Sequence, residues 1–380
     1  MNREITYQAA KAVAGTVEKH FVQYLREARE RGEQASAPEP HAKVIAAMID
    51  TAFWASLRRE EGHSPKISLA FLPPEQAIRP LVFEQRLPLT SHMLTKIAPG
   101  VERSGIHLGV WYEGEELYIW GTMHEISTFC FVLDVSEPGL LVIKHRRKGG
   151  FGKFNNVAVL KGDQIKVVDE TSANLPDCPD VLTSLLGFAA ASSWNDSVNV
   201  LVQLAVSMRA HGRGGSLLVV PSGKEDWRNS IMHPIQYAVA PAFSELAELM
   251  RQDIAERTRS SWQTALRQAI DSIAGLTAVD GATVITDQYE LLAFGAKIVR
   301  AWESAQVEQM VFTEPVIGGE AMVVPPGQTG GTRHLSAAQF VHDQRDALAL
   351  VASQDGRFTI FTWSPCEEMV HAHRVDALLL

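Results

Sequence analysis

The chain has 380 residues, of which 46% are hydrophobic, enough to bury two ordinary cores. Its 35 basic and 44 acidic residues give a formal charge of −9, which argues against a broad nucleic-acid footprint but leaves room for a local phosphate pocket. Cys130, Cys178 and Cys366 are far apart and show no paired metal spacing, so a reduced, cytoplasmic protein is the expectation.

Residues 4 to 28 place Ile5, Ala9, Val13, Val17, Phe21 and Leu25 near helical spacing, predicting an amphipathic helix. Lys11, Glu18, Lys19 and His20 interrupt it, so it is not a signal peptide. No apolar run in the chain approaches the roughly 20 residues that span a bilayer, and no membrane partner is expected. Arg29 to Pro40 reads as a loop. Val44, Ile45, Met48, Ile49, Ala52 and Phe53 then repeat on one helical face. From Lys66 to about Asp169 the period shortens to β-prone runs: 67–72, 107–112, 117–122 and 129–135. Glu113-Gly114-Glu115 and Lys161-Gly162-Asp163 sit between such runs as hairpin connections. Trp54, Trp111 and Trp120 are read as core residues. Gly149-Gly-Phe-Gly-Lys153 lacks the spacing of a phosphate-binding P-loop and is read as a hairpin turn, and Lys144 to Lys148 as a solvated strand end.

Thr171 to Pro179 is polar, contains proline and is the best linker candidate. A helix from about Leu182 to Ala210, with a candidate interruption near Trp194-Asn-Asp196, leads into the second half. There, Trp262, Ala265, Leu266, Ala269, Ile270 and Ile273 define a helix packed by one face. Strands are expected at 282–286, 291–296, 347–352 and 358–363, with a helix opening at Gly331 to His334. This alternation predicts an α/β sandwich around a mixed sheet, preceded by a helix-plus-β domain. The expected division is residues 1–170, a linker and leading helix over 171–194, and 195–380. His371 and His373, with Glu367 and Glu368, are read as an exposed C-terminal helix in preference to a metal site.

Two short strings stand out for chemistry. Asp280-Gly281-Ala282 opens a strand-like run, and Gly331-Thr332-Arg333-His334 ends a Pro/Gly-rich loop where an anion site at a helix N-terminus would form. Taken singly each is weak, since Asp-Gly is commonly a turn and Arg-His commonly a solvated pair. Together, in this order, they resemble the diadenylate cyclase (DAC) domain, whose diagnostic motifs are Asp-Gly-Ala and Gly-Thr-Arg-His. The resemblance extends over roughly residues 195 to 366, with His211 to Val220 similar to the first core strand and Ser230 to Met250 to the following extended segment and helix. A β-rich region ahead of it resembles the layout of the DACNV sensor proteins.

The resemblance implies a C-terminal DAC-like nucleotide domain that joins two ATP molecules into cyclic di-AMP with release of pyrophosphate, under an N-terminal regulatory or sensor domain. It implies a homo-oligomer with facing sites, because each subunit presents one ATP. Asp280 would hold Mg²⁺ or Mn²⁺ or orient the attacking hydroxyl. Gly281 and Ala282 would let backbone approach the nucleotide, and Gly331, Thr332, Arg333 and His334 would bind phosphate, with Ser353 also in contact. Asp280, Arg333 and His334 form the expected catalytic set. Three features point the other way, toward a protein that binds ATP or a cyclic dinucleotide without cyclising it: Leu335 stands where the cyclases commonly have Arg, Gln354 where a Ser-Glu segment has its carboxylate, and the layout resembles that of the DACNV proteins. The 300–330 loop also looks enlarged, which would cover or reshape the nucleotide pocket. Asp355 would compensate for Gln354 only from the opposite strand face.

Overall fold

The computed structural model describes residues 5–30, 37–103, 105–114, 116–146, 154–169, 199–257 and 259–379. The linker expected at 171–194, the first part of the leading helix and the Gly149 to Lys153 turn lie outside them. The chain divides into two compact units, one ending at Val168 and the other taking in the described residues from Asp169 to Leu379.

In the first unit, helices α1 (Gln8–Glu30) and α2 (Ala42–Ser56) follow the predicted apolar faces. Strands β1 (Ile67–Phe71), β2 (Leu81–Pro88), β3 (His107–Glu113), β4 (Glu116–Met123), β5 (Phe131–Glu137), β6 (Leu140–Arg146), β7 (Phe154–Lys161) and β8 (Gln164–Val167) form one sheet. Its order is β2-β4-β3-β1-β5-β6-β7-β8, antiparallel except for the β1–β3 pair. Gly162 adopts φ +59° in the turn between Lys161 and Gln164, the left-handed conformation such a tight connection needs. Helix α3 (Ser91–Val101), between β2 and β3, was not legible in the sequence. Pro99 and Gly100 disguise it, yet the Thr90 hydroxyl caps its start by accepting from Met93 N at 3.1 Å. Trp120 is buried as expected, whereas Trp54 is 41% exposed and donates to the Thr6 hydroxyl at 2.8 Å.

In the second unit, α4 (Val200–Ala210) precedes β9 (Gly215–Val220) and β10 (Tyr237–Phe243). Helices α5 (Glu245–Arg251), α6 (Ile254–Arg257) and α7 (Ser260–Leu276) lead to the hairpin of β11 (Ala282–Thr286) and β12 (Leu291–Ala296). Then come β13 (Met310–Thr313), β14 (Met322–Val324), α8 (Thr332–Asp343), β15 (Leu348–Ala352), β16 (Phe358–Ser364) and β17 (Met369–Arg374). The nine strands order as β10-β12-β11-β9-β15-β16-β17-β13-β14, with β9–β11 and β13–β17 parallel, so the sheet is mixed and the fold α/β. Alternation in β9 shows the layers. Leu217 and Val219 pack with α4, α5 and α7, while Leu218 and Val220 pack with α8.

Two expectations need correction. The 300–330 segment is not only loop, because β13 and β14 extend the sheet beyond β17. His371 and His373 lie on strand β17, not an exposed helix, and are 2% and 4% exposed. With residues of both faces buried, the period-2 signal vanishes from the sequence.

Candidate functional site

The strand register brings the two motifs to one end of the sheet. Ala282 pairs with Ala296 of β12 and with Ser216 of β9, and Gly215 pairs with Ala352 of β15. The residues just outside these pairs, Asp280, Lys297, Gly214 and Ser353, therefore gather beyond four adjacent strands. Helix α8 points its N-terminus at the same end. The Nη1 of Arg333 lies 3.0 Å from where a Cβ on Gly214 would sit, and the Cγ of Gln354 lies 3.4 Å from that point. Gln354 Nε2 donates to Arg213 O at 3.4 Å.

Asp280 is 91% exposed at its side chain and is ion-paired through Oδ2 with the Lys297 ammonium. Its carboxyl is held below the usual range, first by the Lys297 hydrogen bond and charge; slight desolvation opposes this, and the Arg333 charge adds to it. Asp280 and Arg333 thus sense one another electrostatically. Gly281 adopts φ +119°, and a Cβ there would come within 2.4 Å of Gly295 C and 2.6 Å of Gly295 O. The requirement for glycine is met by the β12 backbone itself. The Ala282 side chain is 1% exposed in the core, so it offers a site nothing but backbone.

Gly331 is the N-cap of α8 and has no side chain to cap the first turn. Gly331 and Thr332 are exposed and Arg333 is half-buried, which leaves the helix end open to an anion. His334 is elsewhere. Its ring is 1% exposed, sits 3.2 Å from Thr359 Oγ1 through Nε2, and meets Phe361 edge-on at 5.7 Å. Burial, with Arg374 and Arg357 nearby and Asp355 pulling the other way, pushes its pKa down to about 4, so it is neutral at neutral pH. The ring is a support beneath the helix end, and the backbone N–H of His334 closes onto Gly331 O at 3.0 Å.

Ser353 opens the β15–β16 turn, with its N donating to Arg357 O at 2.8 Å. Asp355 is turned to Arg357, with Oδ2 3.2 Å from Nε. Sequence reasoning missed Lys297 and Arg374. The hairpin pairing of Ala282 with Ala296 was the signal for the first, since it sets residue 297 opposite 281, next to Asp280. Arg374 was hidden by the misread C-terminal strand; its Nη2 donates to Thr329 O at 3.1 Å, and its buried Nε has no hydrogen-bond partner.

The donor set at this end does not suit a divalent cation. Asp280 already holds an ammonium, Asp355 is paired with Arg357, and Gln354 is neutral. Among the described residues no three His, Cys, Asp or Glu side chains are arranged to hold a metal ion. His371 Nε2 is 2.9 Å from Glu367 Oε2, and His373 Nδ1 is 2.7 Å from Thr313 Oγ1. Of the cysteines, Cys130 is buried with its thiol pKa pushed up to about 12, and Cys366 is exposed. The residues therefore suit an anion better than a cation.

These features define an α/β protein of two units whose second unit carries a cationic sheet end. Residues 34–124, spanning α2 to β4 in the first unit, match the family model described as Probable sensor domain DACNV. The match lies in the first unit and stops short of Asp280 and Arg333. No curated protein matches the chain. Among the described residues no helix is long and apolar enough to cross a membrane.

Proposed function

We propose that this protein is a nucleotide-responsive sensor whose second unit binds ATP or a cyclic dinucleotide through its phosphates, at the sheet end beside Arg333. One observation carries the reading. In a chain of charge −9, Lys297, Arg333, Arg357 and Arg374 collect around the open N-terminus of α8, against the carboxylates of Asp280 and Asp355. Arginine offers phosphate a planar fork, and the free N–H groups of the first helical turn add to it.

Cyclase chemistry remains the second reading, because Asp280 and Arg333 of the two motifs lie close enough to interact electrostatically. It would need two such sites facing one another across a homo-oligomer, so that each ribose hydroxyl meets the opposite α-phosphate. The buried, neutral His334 and the Lys297 pairing of Asp280 favour binding over turnover.

Titration calorimetry with ATP and with adenosine tests the binding reading. Arg333→Ala is expected to weaken ATP by at least about tenfold, an amount typical of one lost charge-assisted contact, and adenosine little. Equal losses for both ligands would give Arg333 a structural role. No loss for either would place the site elsewhere.

A further inference from the structure

The divalent cation that the motif resemblance implies does not fit the residues at Asp280, and what stands in its place is part of the chain. Lys297 follows β12 directly, and its backbone is fixed on both sides. Ala296 pairs with Ala282, Met232 N donates to Lys297 O at 2.8 Å, and Ile298 bridges to Ile231. Asp280 is equally constrained, because Gly281 is wedged against the Gly295 backbone. The end of β12 and the bend before β11 thus bring the ammonium and the carboxylate together. An exposed ion pair of this kind adds little to stability, because both side chains still lose rotamer freedom, so its role is to place a positive charge at this corner.

We infer that Lys297 is the resident counter-cation of this corner, occupying the place of a divalent metal, and that the site takes the phosphate of its nucleotide ligand in metal-free form. The phosphate part of the inference rests on the binding reading above. Magnesium gives up its waters reluctantly and is usually held by one or two carboxylates together with substrate phosphates. At this end the second carboxylate, Asp355, is already paired with Arg357, and the lysine charge repels an incoming cation. The Lys297 side chain is 48% exposed and is therefore accessible to a phosphate oxygen while paired with Asp280. Asp280 then acts as a positioning residue for the lysine. With Arg333 on the α8 side, the two cations bracket a phosphate, and a phosphodiester with a single charge suits them without added metal.

The experiment uses the full chain as wild type, Lys297→Met, Asp280→Asn and the Lys297→Met/Asp280→Asn double variant. Mn²⁺ uptake is followed by electron paramagnetic resonance, and ATP and cyclic di-AMP affinities are measured in EDTA and in Mg²⁺. The wild type is expected to take up no Asp280-dependent Mn²⁺ and to bind nucleotide within twofold in the two buffers. Lys297→Met should lose at least tenfold in affinity in EDTA, regain part of it with a divalent cation, and take up Mn²⁺ that the double variant does not. Uptake of Mn²⁺ by the wild type that Asp280→Asn abolishes would overturn the inference, as would an unchanged affinity of Lys297→Met in EDTA. If no form binds nucleotide, the binding reading falls. The Mn²⁺ arm then decides Lys297 by itself: uptake by Lys297→Met alone supports it, and uptake by both proteins or by neither overturns it.

Discussion

Gly281 is the residue at which sheet geometry and candidate site meet. Its φ of +119° and the 2.4 Å approach of a virtual Cβ to Gly295 C mean that any side chain must push β11 away from β12. Gly281→Ala is expected to cost roughly 2–4 kcal/mol, read from urea unfolding, because it combines backbone strain with a clash against main chain that cannot rotate aside. Unchanged stability would show that the hairpin yields freely. His334 makes a pH prediction. Its folded pKa of about 4 lies below the ordinary 6.5, so the unfolded chain binds a proton that the folded chain refuses. Stability from this group is complete above about pH 6.5 and is lost as pH falls toward 4. His107, at about 4, and His373, at about 3, act in the same direction. His334→Gln should therefore flatten part of the slope between pH 7 and 5, by roughly 2 kcal/mol at most. An identical slope in the variant would mean that His334 is free to protonate in the folded protein.

At the scale of elements, α8 was legible where its signal was local and illegible where it depended on a partner. The Gly331 cap and the strand after Asp280 stand out in the sequence, and both motifs lie where that reading set them. The other end of α8 carries Asp343, a carboxylate that opposes the helix dipole. The reason is tertiary. Its side chain is fully buried and accepts from Ala301 N at 2.8 Å, from Gln339 Nε2 at 2.8 Å and from the Ser304 hydroxyl, tying the 301–304 turn to the helix. Asp343→Ala leaves those donors without their acceptor and is expected to cost about 2 kcal/mol or more in urea unfolding; a neutral result would show that the turn finds other partners. Similar tertiary causes hid other elements. β13 and β14 are four and three residues long and gain their identity from β17. β17 itself reads as a polar helix until both of its faces are seen to be buried.

For the whole molecule, composition pointed to two units, and the motifs put the candidate site in the second. The sign of the site was less evident, because Lys297 and Arg374 are distant in sequence from both motifs and reach them only through strand pairing. The DACNV match lies wholly in the first unit. On the proposed binding reading, the second unit holds an intact nucleotide and does not consume it. Native mass spectrometry of the full chain incubated with ATP, in EDTA and again in Mg²⁺, reads occupancy and chemistry together. One unaltered ATP per chain is expected in both buffers, with no cyclic di-AMP released; a ligand-free chain in both, or the mass of cyclic di-AMP appearing in Mg²⁺, would contradict the binding reading.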